Sequence, residues 1–84
     1  MSCFQIGDRV RSMDFINRSD CYVEVIISVI DPVARRYVGM TVAEVSVGRD
    51  CSKDEHTRVG FRTTFPMEGA LHRDWPTRLT KVLP

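Results

Sequence analysis

Apolar and polar residues alternate along most of this chain, and no stretch sustains the i, i+3, i+4, i+7 stripe of an amphipathic helix. The clearest element runs from Cys21 to Asp31. There Val23, Val25, Ile27 and Val29 alternate on one face, with Tyr22, Glu24 and Ser28 on the other. Ile26 and Ile30 break the polarity of that second face, as they would in a central strand covered on both sides or curled inside a small barrel. Upstream, Gln5-Ile6-Gly7-Asp8 reads as a turn entering a strand from Arg9 to Met13. Ile6 and Val10 are expected inward there, with Arg9 and Arg11 opposite. Asn17, Ser19 and Asp20 bond their own backbone in turns, which predicts an exposed loop from Asp14 to Asp20.

Asp31-Pro32 stops the long strand, since proline lacks a donor and presets φ for a turn. The return strand is expected from Arg36 to Val47. Its inward set begins as Val38, Met40 and Val42 and then shifts phase to Val45 and Val47, so a β-bulge near Ala43-Glu44 is predicted. Gly48 to His56 reads as a polar loop. Thr57 to Phe65 alternates again, with Val59, Phe61, Thr63 and Phe65 on one face and Arg58, Gly60, Arg62 and Thr64 on the other. Pro66 ends that strand. Met67 to Pro76 has no clear period beyond a turn of helix around Glu68 to His72, and Arg78 to Leu83 reads as a closing edge strand. The architecture expected is all-β: a small SH3-like barrel of about five antiparallel strands, closed because closure removes exposed edges.

Composition agrees. Valine and isoleucine outnumber alanine and leucine, and branching at Cβ suits a pleated sheet. Eighty-four residues allow one domain, residues 1–84, and 43% hydrophobic with 27% charged residues is ordinary for a folded one. The formal net charge of +1 argues against a dedicated electrostatic nucleic-acid binder. No apolar run is long enough for a membrane span, and Met1-Ser2-Cys3-Phe4 does not open a signal peptide, so the cytoplasm is the expected compartment. Cys3, Cys21 and Cys51 are odd in number and widely spaced, and they read as free thiols. They lack zinc-ligand spacing, and no metal or cofactor is expected.

The opening Ile6-Gly7-Asp8-Arg9-Val10-Arg11 resembles the first strand of many SH3-like barrels. The longer pattern GDRVRSMDF, then DCYVE, then RVG before a proline turn and Trp75, resembles small SH3-like barrel proteins of tailed bacteriophages. That resemblance implies a phage or mobile-element origin and supplies no function of its own. By shape, the nearest catalytic relatives are the plasmid-borne dihydrofolate reductases built from SH3-like subunits, whose first strand is similar to GDRVR. Their Gln-Ile-Tyr active-site strand has no counterpart, since Phe61-Arg62-Thr63-Thr64-Phe65 stands in its place.

Two sets of residues are candidates for binding. Arg9, Arg11, Arg58 and Arg62 alternate on two strands, so four guanidinium groups could form a basic patch for phosphate or acidic side chains. The competing reading is an ordinary solvated face with cross-strand ion pairs to Glu24 and Glu44, and the charge balance favours it. Tyr22 and Trp75 are the aromatic candidates for exposed contacts, whereas Phe61 and Phe65 share the face assigned to the core. A Cys51, Asp54, His56 cluster could be drawn as a nucleophile, base and orienter, but no oxyanion-hole motif accompanies it.

The sequence therefore points first to a non-enzymatic phage or mobile-element accessory protein that binds another protein. An inhibitor of a host defence or regulatory complex is one form of it. Recognition is expected in the loops at 14–20, 48–56 and 67–77. The alternatives are a nucleic-acid-binding barrel that uses the four arginines, and an oligomeric SH3-like enzyme with its site on a symmetry axis. Self-association through edge strands is compatible with each.

Overall fold

The structure is a computed structural model that describes residues 4–15, 18–67 and 79–82. Among those residues it is an all-β, barrel-like fold of six antiparallel strands: β1 (Arg9–Phe15), β2 (Arg18–Asp31), β3 (Arg36–Ser46), β4 (Arg49–Asp50), β5 (Arg62–Pro66) and β6 (Leu79–Lys81). The long β2 and β3 form the spine, β1 lies on the far edge of β2, and β6 pairs with β1. β4 and β5 share the free edge of β3, β5 alongside Arg36 to Met40 and β4 alongside Val45 and Ser46.

Two irregularities bend this spine. Register passes from Glu24↔Ala43 to Val25↔Thr41, so Val42 is an extra residue in β3, one position before the bulge expected at Ala43-Glu44. A second shift, between Ile27↔Gly39 and Val29↔Val38, makes Ser28 an extra residue in β2. Each extra residue reverses the phase of the positions beyond it, because side chains alternate with a period of two. Val23, Val25 and Ile27 are therefore buried as expected, but Val29 turns outward and Ile30 packs against the core.

The core gathers Phe4, Val10, Val23, Val25, Ile27, Tyr37, Phe65 and Leu79. The Phe4 ring stands edge-on to Tyr37, centroids 5.4 Å apart, a geometry that suits the quadrupoles of the two rings. β3 turns Tyr37, Gly39 and Thr41 inward, which corrects the expected inward set of Val38, Met40 and Val42; Met40 is exposed. Gly39 explains the phase. A Cβ there would lie 2.5 Å from both the Ile26 carbonyl oxygen and a Val25 methyl, so only glycine lets β2 approach so closely.

Three further expectations are corrected. Ile6 is exposed, because the Gln5–Asp8 turn swings it outside while Gly7 and Asp8 bond to Ile27 across the sheet. Asp14, Phe15 and Arg18 to Asp20 belong to strands where a loop was expected, with Phe15 paired to Arg18. Thr57 to Phe61 is irregular, with a turn at Val59 and Gly60, and β5 begins only at Arg62. There the Glu44 carboxylate accepts from Thr57 Oγ1 and the Arg58 amide, and Gly60 adopts φ 92°, which curls the chain and leaves Phe61 exposed. The helical turn expected at Glu68 to His72 lies outside the described residues.

Candidate functional site

Because β1, β2 and β3 pair in register, their side chains sort onto two faces. Ser12, Val23 and Glu44 are register partners on the inward face, and Arg11, Glu24 and Ala43 are partners on the outer one. The outer face holds a compact charge cluster. Glu24 accepts at Oε1 from Arg9 Nε at 2.8 Å, and at Oε2 from Arg11 Nε at 3.1 Å and Arg11 Nη2 at 2.8 Å. The Arg11 guanidinium also lies over the Tyr22 ring, 4.0 Å from its centroid. Burial of Glu24 by itself disfavours the carboxylate, but the hydrogen bonds from Arg11 and Arg9 outweigh it and hold the carboxyl below its ordinary pKa.

Beside this cluster the outer face becomes apolar. Arg9, Ile26, Met40 and Arg62 are successive register partners across β1, β2, β3 and β5. The next row carries Val29, Val38 and Thr64. Ile26, Val29 and Met40 are 37%, 47% and 44% exposed, so the middle of the sheet presents hydrophobic side chains to solvent. Next to them a shallow groove of about 400 Å³ is lined by Ser28, Val29, Asp31, Arg36, Val38, Arg62 and Thr64. Asp31 Oδ1 is held by the amides of Val33 and Ala34, which fixes the β2–β3 turn. Among the described residues neither Arg36 nor Arg62 forms an ion pair or side-chain hydrogen bond.

The four arginines therefore do not make one patch. Arg9, Arg11 and Arg62 share the outer face, the first two bound to Glu24. Arg58 instead bridges Asp14 and Glu44, two acids of the inward-facing rows beyond the core. Its terminal nitrogens donate to Asp14 at 3.0 and 2.9 Å, and its Nε donates to Glu44 at 2.6 Å. Hydrogen bonding to Asp14 raises the Arg58 pKa against the cost of burial, and Glu44 raises it further. Arg58 thus pins the 51–60 segment to β1 and β3. Ion pairs with Glu24 and Glu44 were anticipated and are present, the pair of Arg58 with Asp14 was not anticipated, and Arg62 forms none among the described residues.

Tyr22 lies on the outer face, but its ring is partly covered by Arg11. Phe65 is in the core, whereas Phe61 is 67% exposed at the bend before β5, which corrects its assignment to the core. Trp75 lies outside the described residues. Cys51, Asp54 and His56 do line one cleft, together with Glu44, Glu55 and Thr57. Within it, however, Asp54 is paired with Arg49 at 2.6 Å, Cys51 is buried with its thiol on the Arg49 carbonyl, and no hydrogen bond among the described residues joins His56 to Cys51. That arrangement lacks the nucleophile–base contact that acyl transfer needs. Among the described residues no group of three His, Cys, Asp or Glu side chains could hold a metal ion, and no helix is long and apolar enough to cross a membrane.

Sequence reasoning missed Arg36, Val29 and Met40 as surface residues. Ile26 and Ile30 both broke alternation on the second face, but only Ile26 stays on the outer face, Ile30 packing against the core. No family model, curated protein or solved structure matches the chain.

Proposed function

We propose that this chain is a non-enzymatic protein-binding barrel whose working surface is the outer face of β2 and β3. The observation that supports this reading is the exposed apolar strip of Ile26, Val29 and Met40, bordered by Arg9 and Arg62. An antiparallel sheet that faces water on one side normally carries polar residues there. Apolar residues at the centre of such a face, with arginine at the rim, match the anatomy of a protein interface. This moves the proposed surface away from the expected loops at 14–20 and 48–56, whose described residues are occupied by strand pairing and by hydrogen-bonded turns. Trp75 and Tyr22 stay in the proposal as aromatic contacts.

The likeness of the opening strands to phage barrel proteins extends the proposal to a cytoplasmic accessory protein of a phage or mobile element, acting on a host defence or regulatory complex. The nucleic-acid alternative is weaker on this surface, because Glu24 offsets Arg9 and Arg11, and Arg58 is held by two acids. Capture from bacterial lysate, with and without infection, tests the proposal. Wild-type protein should recover a specific partner that an Ile26→Ser/Met40→Ser double variant of unchanged melting temperature loses. Equal recovery by the double variant would move the binding surface elsewhere. Retention on DNA or RNA that weakens steeply with salt, with no protein recovered, would favour the alternative.

A further inference from the structure

Arg36 and Arg62 line one groove, four register positions apart along β3, and neither forms an ion pair among the described residues. Every other arginine named as a candidate site is already matched to a carboxylate. Between the two unmatched guanidinium groups the floor is apolar, formed by Val29 and Val38, which are register partners. Ser28 cannot offer its hydroxyl freely, since it donates to the Val38 carbonyl. The one acid on the rim, Asp31, has an oxygen committed to the turn amides of Val33 and Ala34.

Resting on the reading of this face as a protein-binding surface, we infer that the groove takes an extended acidic segment of the partner with the pattern acid–x–aliphatic–x–acid. The pattern comes from register. Arg62 lies beside Met40, four positions along β3 from Arg36, with Val38 midway between them on the same face. Four residues of strand span about 13 Å, and an extended peptide repeats its side-chain direction at i, i+2 and i+4 with the same rise. Carboxylates at i and i+4 therefore meet Arg36 and Arg62, while an aliphatic side chain at i+2 covers Val29 and Val38. Guanidinium–carboxylate pairing is directional and suits arginine better than lysine. The aliphatic residue supplies the apolar contact that distinguishes this ligand from a nucleic-acid backbone.

The test titrates the full-length protein with a capped fluorescent peptide, Ser-Glu-Thr-Val-Thr-Glu-Ser. Two control peptides have both Glu replaced by Gln, or Val replaced by Ser, and a single-stranded oligonucleotide serves as a further probe. Saturable binding of the acidic peptide is expected at about 0.1–1 mM. It should weaken about tenfold in Arg36→Gln or Arg62→Gln, each loss being that of one charge-assisted pair. Both arginines are exposed, so these variants should keep the melting temperature of the wild type. Failure of the acidic peptide to saturate, equal binding of the Gln peptide, or unchanged binding by both arginine variants would overturn the inference. Oligonucleotide binding that needs both arginines, with no peptide binding, would overturn it as well. A lysate partner retained by the Arg36→Gln/Arg62→Gln double variant but lost by Ile26→Ser/Met40→Ser would overturn this inference alone and leave the protein-binding reading standing.

Discussion

Glu24 is the residue on which the outer face is organised, because it sits nearly buried between two half-exposed arginines. Removing it leaves two guanidinium groups side by side without a counter-ion. Breaking a well-formed pair of this kind costs up to several kcal/mol when fully buried, and about 1–2 kcal/mol once the exposure of both arginines is allowed for. Glu24→Ala should lower stability by that amount in urea denaturation. The pH dependence has a definite sign. The folded-state pKa of Glu24 is depressed, so its contribution is complete above the unfolded value of about 4.3 and is lost as pH falls through the folded value. Glu44, where the hydrogen bonds of Arg58 likewise outweigh burial, acts in the same direction. Stability should therefore decline on acidification below about pH 4, and Glu24→Gln should flatten that decline. Two backbone positions make further predictions. Val47 adopts φ 51° and Gly48 φ 75°, the pair of positive angles of a type I′ turn, in which a β-branched residue is poorly placed. Val47→Asn should stabilise the protein by about 1 kcal/mol, since Val47 is exposed and Asn-Gly suits the turn. Gly39→Ala should destabilise it by about 1–3 kcal/mol, because the new methyl meets a backbone carbonyl. Thermal or urea melts read both changes.

At the scale of elements, Gly48 to His56 was expected as a polar loop and Thr57 to Phe65 as a strand, yet 51–60 is one segment fastened along its length. The Cys51 amide bonds the Glu44 carbonyl, the Glu44 amide bonds Ser52 Oγ, and Arg58 reaches Asp14 on β1. Arg58→Ala should therefore raise hydrogen exchange across 52–60 while leaving β1–β2 protection intact. The same segment shows why legibility stopped where it did. The strands themselves were readable from valine and isoleucine alternation, and β1, β2 and β3 appear close to the expected places. Their faces were harder to read, because one extra residue at Ser28 and another at Val42 each invert the pattern. Valine occurs in both phases of β3, so hydrophobicity alone could not choose between Val38 and Tyr37 as the inward residue. The deciding contact, Gly39 against Ile26 and Val25, spans two strands and is invisible in either one. Arg58 failed as a patch residue for a related reason. Thr57 and Arg58 are held by the Glu44 carboxylate, which ends the strand pattern that would have placed Arg58 beside Arg62.

For the molecule as a whole, these local inversions have one consequence: apolar side chains from two strands come together on the outside of the sheet. The pairing of Arg9, Arg11 and Arg58 with acids was legible from the charge balance, whereas Arg62 has no such partner among the described residues. Of the apolar strip only Ile26 was legible, since the exposure of Val29 depends on the extra residue at Ser28 and that of Met40 on the phase set by Gly39. A photo-crosslinking residue at Met40, compared with one at the exposed turn residue Val33, tests the central claim most directly in lysate from infected and uninfected cells. Binding through the outer face of β2 and β3 predicts a discrete crosslinked protein from position 40 that is absent from position 33 and competed by unlabelled wild-type protein. Crosslinks of equal yield from both positions, or none from position 40, would contradict it.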